Sequence, residues 1–215
     1  MKTCSTLFVA GTDTDVGKTF VSSRLISKLK GLNINVSALK PIECGGHDDS
    51  LALQSVTGAQ TREEVNPIHI ELPVAPLDPR VGGITDEQID SIKAAHRHLE
   101  EKSDLVLVEG AGGWQVPISE GLGMQHLAAM LTDQVLLIAK NQLGVLNHTS
   151  LTVDAIERQG LSVFGIILNQ FDSDPADESI HKNEQILRTM YPHLSIWQSS
   201  DLDAAAEAIQ QRLIH

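Results

Sequence analysis

Thr6-Leu-Phe-Val-Ala10, followed directly by Gly11-Thr-Asp-Thr-Asp-Val-Gly17-Lys18-Thr19, is the stretch on which the fold turns. The first five residues are β-branched or apolar without alternation, as in a strand buried on both faces. Beyond Thr19, Val21, Leu25, Ile26 and Leu29 recur at helical spacing. Between them lies a glycine-bounded turn ending in Gly-Lys-Thr, the arrangement that cradles phosphate. Gly17 lets the backbone come close, and exposed N–H groups with the helix dipole attract negative charge. Lys18 adds a mobile cation, and the Thr19 hydroxyl is placed to reach Mg²⁺. Five residues, 12–16, separate the two glycines, one more than the basic G-x-x-x-x-G-K-[ST] pattern, so the loop is a lengthened variant. Asp13, Thr14, Asp15, Val16, Gly17, Lys18 and Thr19 are the expected nucleotide-binding segment.

Outward from this loop the same alternation repeats. The runs 6–10, 36–40, 104–109, 135–139 and 163–169 read as buried strands, and 18–30, 86–102, 147–158, 177–190 and 201–213 as helices. Thr85-Asp-Glu-Gln88 forms a capping box, and Gly160 is a plausible helix stop. Strands alternating with helices predict an α/β fold of the P-loop NTPase type. Its sheet should be mostly parallel with helices on both faces, in a single domain over 1–215. Residues 66–83, interrupted by Pro67, Pro73, Pro76 and Pro79, are the least regular and should wrap an edge of the active site.

The composition narrows the function. Twenty-eight acidic residues against 16 Lys and Arg leave a formal charge of −12. No basic field exists for nucleic acid or anionic lipid, so a phosphorylated ligand must be held locally. No apolar run approaches a membrane span, and the N-terminus turns polar too early for a signal peptide, so a cytoplasmic protein is expected. Cys4 and Cys44 have no metal-ligand spacing and should be reduced thiols. His96 and His98, two apart on a helix, face different directions and are expected at the surface. Trp114 and Trp197 are expected to pack.

Several pieces occur in a recognisable order: GTDTDVGKT at 11–19, KP at 40–41, DSLALQ at 49–54, NP at 66–67, AP at 75–76, VEGAGG at 108–113, LGVLNHTSLT at 143–152 and LNQFD at 168–172. Over most of its length the chain thereby resembles the dethiobiotin synthetase family. The resemblance implies an ATP- and Mg²⁺-dependent cyclo-ligase. CO₂ forms a carbamate on the small-molecule diamine 7,8-diaminopelargonate, ATP phosphorylates it, and the second amine closes the cyclic urea. It also implies a homodimer.

Lys40 ends a strand before Pro41, which favours extended backbone and aims the side chain from the sheet edge. By itself this fits a solvated strand-end lysine as well; with the resemblance it is a catalytic clamp, beside Lys18, for the anionic carbamate and phosphoryl group. Asp49 and Glu109 are the expected partners of Thr19 around Mg²⁺. Spacing does not separate Asp48 from Asp49; the family pattern D-x-L-x-L selects Asp49. Gly110 and Gly112 let backbone crowd a substrate. Asn169 resembles the family residue that bonds adenine, although LNQFD also has some likeness to a guanine-reading NKxD motif, and an Asn closing a turn is the structural alternative. Cys44 stands where the family commonly has Ser, and Leu77 where it often has His. These departures bear on substrate affinity and leave room for a paralogue acting on another diamine. Leu143, Gly144, Val145, Leu146 and Asn147 are implied to reach the neighbouring subunit's site.

Two other classes remain open at this level. ATPase switches of the partitioning and septum-site kind usually carry an additional lysine early in the loop, where this chain has Thr12 and Asp13. A catalytically silent nucleotide-binding module would bind without turnover.

Overall fold

The computed structural model describes residues 4–171 and 178–214. In chain order the elements are β1 (Ser5–Gly11), α1 (Lys18–Gly31), β2 (Val36–Leu39), β3 (Ile42–Cys44), α2 (Asp48–Thr57), α3 (Arg62–Val65), β4 (Ile68–Ile70) and α4 (Asp86–Glu100). They continue as β5 (Leu105–Glu109), β6 (Pro117–Ser119), β7 (Leu122–Gly123), α5 (Met124–Leu131), β8 (Gln134–Lys140), α6 (Val145–Arg158), β9 (Ser162–Asn169), a 3-10 turn (Glu178–His181), α7 (Asn183–Met190), β10 (Ser195–Gln198) and α8 (Asp203–Ile214).

Six strands form one parallel sheet in the order β10-β9-β8-β1-β5-β2. The two-residue period of a strand decides which layer each side chain enters. Leu7 and Val9 of β1 pack with Val21, Leu25 and Ile26 of α1 and Ala205 of α8. Phe8 and Ala10 pack on the other face with Ile92 of α4, Leu127 of α5 and Ile156 of α6. The sheet is therefore covered on both sides, and its continuous apolar strands follow from that. Chain connections from β1 and β8 leave toward opposite edges of the sheet, which opens a crevice at the carboxyl ends of these neighbours.

Most expected elements form, with corrections that have physical causes. Thr85 accepts from the Gln88 N–H at 3.3 Å, and the Gln88 side chain accepts from the Thr85 N–H at 2.9 Å, completing the capping box of α4. Gly160, at φ +81, ends the α6 connection in a left-handed conformation. The sheet gains a sixth strand, β10, beyond the five expected. The helix expected over 177–190 is shorter: residue 177 lies outside the described residues, and α7 starts only at Asn183 after the 3-10 turn. Asn183 donates to Asn141 Oδ1 (2.8 Å), and Asn141 donates to the Ile180 carbonyl (3.1 Å), hooking the turn onto the end of β8.

His96 is also corrected. It is buried, with its Nε2 2.8 Å from the Thr6 hydroxyl, whereas His98 is exposed. Burial pushes the His96 imidazole pKa down. Trp114 packs edge-on against Phe8, and Trp197 stacks on Phe164, as expected of packing residues. Both cysteines are free. Among the described residues no helix is long and apolar enough to cross a membrane.

Candidate active site

The chemistry gathers at the carboxyl ends of the parallel strands because the sheet delivers it there. The phosphate loop follows β1, Lys40 follows β2, Glu109 ends β5, Lys140 ends β8 and Asn169 ends β9. Gly17 caps α1 at φ +85 with no side-chain capping bond, leaving first-turn N–H groups to a ligand. A Cβ at this position would lie 2.0 Å from Asn169 Nδ2, so glycine is required by contact as well as by backbone. Asp15 is also left-handed, at φ 56. Lys18 folds against its own loop, with Nζ 3.5 Å from the Asp13 carbonyl, and is buried. Burial and the nearby Lys40 ammonium push its pKa down to about 8.

Beside the loop, four side chains from four segments meet. The Thr19 hydroxyl lies 2.6 Å from Asp49 Oδ1 and 2.7 Å from Glu109 Oε1. Lys40 Nζ donates to Asp49 Oδ2 at 2.6 Å, to Glu109 Oε1 at 2.8 Å and to the Gly110 carbonyl at 3.4 Å. Burial alone would lower the Lys40 pKa, but Glu109 and Asp49 outweigh it and hold the ammonium above the ordinary lysine range. For Asp49 burial works against ionisation, and Lys40 and Thr19 more than offset it, leaving its pKa below the usual carboxylate value.

The cluster has more acceptors than protein donors. Thr19 has one hydroxyl proton for two carboxylates, and the second oxygen of Glu109, fully buried, has no hydrogen-bond partner among the described residues. A hydroxyl and two carboxylates form an all-oxygen donor set of the kind Mg²⁺ takes when phosphate and water complete its shell. The residues present therefore fit that ion.

Two contiguous clefts flank the cluster. One, of about 500 Å³, is lined by Glu43, Cys44, Asp48 and the turn Pro73, Val74, Ala75 and Pro76, part of the irregular segment expected to wrap the site. The other, of about 320 Å³, is lined by Lys18, Thr19, Phe20, Lys140, Asn169 and Phe171. Both reach Thr14, Asp15, Lys40, Asp49 and Gly112, so a group in one meets a group in the other at Lys40.

Not every candidate residue lies in these clefts. Asp49, not Asp48, contacts Thr19 and Lys40; adjacent positions in the first turn of α2 point about 100° apart. Gly110 is buried, and a Cβ there would sit 3.0 Å from the Phe8 ring, so its smallness serves packing. Asn169 donates to the Val16 carbonyl at 2.9 Å and accepts from the Phe171 N–H at 3.1 Å, so it braces the phosphate loop and its own turn while still lining the smaller cleft. Leu143, Gly144, Val145, Leu146 and Asn147 start α6 outside both clefts; Leu143 is 80% exposed and Val145 is buried. Cys44 is half-buried in the larger cleft, where burial raises its thiol pKa.

Four residues lining the site escaped the sequence reading. Lys140 is one residue past the expected strand 135–139, and a cation at a strand's carboxyl end was the available signal. Phe20 and Phe171, which line the smaller cleft, stack at 4.4 Å with Arg24 over Phe20. Glu43 sits on a three-residue strand outside the main sheet and carried no local signal.

A lengthened phosphate loop opening a helix, with a Lys–carboxylate–hydroxyl cluster at the carboxyl ends of a parallel sheet, defines a P-loop nucleotide-binding protein. Residues 5–196 match the family model described as an AAA domain. The septum site-determining protein MinD of Pyrococcus horikoshii, solved with Mg-ADP, superposes with a TM-score of 0.52 at 15% identity, covering 84% of this chain and 77% of that one. A putative plasmid partition protein of Borrelia burgdorferi superposes with a TM-score of 0.58 at 13% identity, covering 92% and 86%. At such identities these likenesses establish the fold.

The more specific relationship comes from sequence. The chain is 41% identical to the ATP-dependent dethiobiotin synthetase of Methanocaldococcus jannaschii, over 76% of this chain and 78% of that protein. It is 36% identical to the Aquifex aeolicus enzyme over 86% and 84%, and 34% identical to that of Bacillus subtilis over 84% and 81%. The chain belongs to the ATP-dependent dethiobiotin synthetase family, and it is an ATP-using ligase.

Proposed function

We propose that this protein carries out the ring-closing carboxylation of biotin biosynthesis, converting 7,8-diaminopelargonate, CO₂ and ATP into dethiobiotin, ADP and phosphate with Mg²⁺, in the cytoplasm. The observation that carries the reading is the meeting of the two clefts at Lys40 and Asp49, where a substrate oxygen and a terminal phosphoryl group can approach each other.

The residues divide the work by charge. One amine adds to CO₂ and loses a proton, giving a carbamate. A carbamate oxygen then attacks the γ-phosphorus and ADP leaves; the second amine attacks the carbamoyl carbon, expelling phosphate and closing the urea. The phosphate loop and Lys18 hold the triphosphate. Thr19, Asp49 and Glu109 would hold Mg²⁺, which when bound supplies counter-charge to the phosphate oxygens. Lys40, fixed by two carboxylates before substrate arrives, offers its ammonium to carbamate and phosphoryl oxygens as they converge, so little reorganisation is needed at that moment. The Pro73–Pro76 turn forms one wall of the larger cleft.

Phosphate release should depend on the diamine, measured at steady state with and without it. Release indifferent to diamine but stimulated by a protein partner would overturn the ligase reading in favour of an ATPase switch.

Assembly belongs to the same proposal. Leu143 and Leu151 on the α6 side are exposed apolar residues. Leu151, Ala155 and Arg158 border an open groove of about 750 Å³ with Trp114 and Gln115. In a homodimer the segment from Leu143 to Asn147 would present the start of α6 to the neighbour's substrate, the positive end of the helix dipole suited to a carboxylate. Lys18→Ala subunits mixed with subunits altered at Gly144 and Asn147, each inactive alone, should recover about a quarter of wild-type activity. Half the dimers are then mixed, each with one intact site. No recovery, with subunit exchange verified, would remove the shared site.

A further inference from the structure

Glu43 is a buried carboxylate that the reaction scheme does not use, on β3, which pairs with β4 outside the six-stranded sheet. Its Oε1 accepts from the backbone N–H of Asp49 at 2.9 Å and of Ser50 at 3.2 Å. These are the second and third residues of α2, whose N–H groups an N-cap side chain ordinarily satisfies. The residue at the N-cap itself, His47, makes no such side-chain bond. The helix thus takes its cap from six residues upstream, from a different element, and the anion lies at the positive end of the α2 dipole. Strand β3 is held in turn by parallel pairing with β4, with Glu43 opposite His69. The His69 ring lies 2.8 Å from the Gly45 carbonyl, fastening the loop between Glu43 and the helix.

What this cap fixes is Asp49. The backbone amide Glu43 grips belongs to the residue whose carboxylate lies 2.6 Å from both Thr19 and Lys40. α2 is ten residues long, and its first turn faces the cleft, so without the cap that turn would be free to fray. We propose that Glu43 is a positioning residue that caps α2 from β3 and thereby holds the Asp49 carboxylate in the geometry needed for divalent-cation binding. It acts through the helix, not by touching metal or nucleotide. The other oxygen of Glu43 has no hydrogen-bond partner among the described residues, so the helix N-terminus is the site its hydrogen bonding serves.

The inference rests on the assignment of Asp49 to the metal, and the experiment separates the two. Mn²⁺ binding to the protein saturated with a non-hydrolysable ATP analogue is followed by electron paramagnetic resonance for wild type, Glu43→Ala, Glu43→Gln and Asp49→Asn. Nucleotide binding in EDTA and the melting temperature are measured alongside. Glu43→Ala should weaken Mn²⁺ binding about tenfold or more, the scale of losing a group that orients a ligand, with nucleotide affinity in EDTA within about twofold of wild type. Glu43→Gln retains a carbonyl oxygen for both N–H groups and should recover most of the Mn²⁺ affinity. Unchanged Mn²⁺ affinity in Glu43→Ala, while Asp49→Asn is impaired, overturns the positioning role and leaves the metal site standing. Equal impairment of Glu43→Ala and Glu43→Gln also overturns it, because charge rather than capping would then be responsible. Unchanged Mn²⁺ affinity in Asp49→Asn removes the metal assignment and this inference with it.

Discussion

Lys40→Ala should slow the phosphorylation step about 10²- to 10³-fold, the scale of removing one preorganised group aimed at developing charge, while ATP affinity stays close to wild type. Lys40 is fixed by Asp49 and Glu109 at 2.6 and 2.8 Å and lies where the two clefts join, its ammonium engaged by those carboxylates rather than by the backbone of the phosphate loop. The same substitution leaves Glu109, fully buried, without its cation. Removing one member of a buried pair costs about 3–5 kcal/mol, so the melting temperature should fall. Mg²⁺ should restore part of it, because a divalent ion can take over the unneutralised carboxylates. Single-turnover acid quench of the phosphorylation step at saturating Mg²⁺ separates the two effects. An unchanged single-turnover rate would remove Lys40 from the mechanism. A parallel loss of ATP affinity would move it into binding.

That four-group cluster shows both how far the sequence can be read and where reading stops. The loop from Gly11 to Thr19 was legible because glycine spacing, an apolar strand before and a 3.6-residue period after all pointed to one local structure. Glu109 was legible as the polar end of a buried strand. Asp49 needed the family pattern, since neighbouring aspartates in DDSLALQSVT are equivalent until the helix phase is known. Helix α2 itself was invisible: ten residues with a weak apolar face and a cap supplied by Glu43, outside its own window. Pairings that join segments distant in sequence have no local signature.

The misread elements fail for the same kind of reason. β10 offers four residues, Ser195–Gln198, with only Ile196 fully buried, so neither length nor alternation announces it. Its place at the sheet edge follows from pairing with β9. His96 was placed at the surface from its spacing with His98, yet spacing says only that the two diverge, not which one points inward. The answer lies in Thr6, ninety residues away, whose hydroxyl partners the ring. Asn169 presents the opposite case. Its position at a strand end suggested a nucleotide contact or a turn, and the amide has enough donors and acceptors to close the turn while lining the cleft.

Lys18→Met should abolish turnover and, in the nucleotide-free protein at pH 7, raise stability. The ammonium is buried against its own loop and faces Lys40, so its pKa stands at about 8 against 10.5 for an ordinary lysine. Below pH 8 the folded protein carries the charge at a penalty the unfolded chain does not have. Between about pH 8 and 10.5 the unfolded state binds more protons, so wild-type stability rises with pH across that window. Methionine keeps the length of the side chain and removes the penalty, so the variant should lack this rise. A triphosphate reverses the preference, because an anion beside Lys18 favours its charged form. ATP binding should therefore take up a proton around pH 8, and affinity should be full below that pH and fall as it rises through it. Calorimetric titration in buffers of different ionisation enthalpy measures the uptake, and melting curves from pH 6 to 10 measure the stability. Wild type and Lys18→Met with the same pH dependence in both would show that Lys18 is not a strained, half-titrated cation. Its role in holding the phosphates would then have to rest on charge alone.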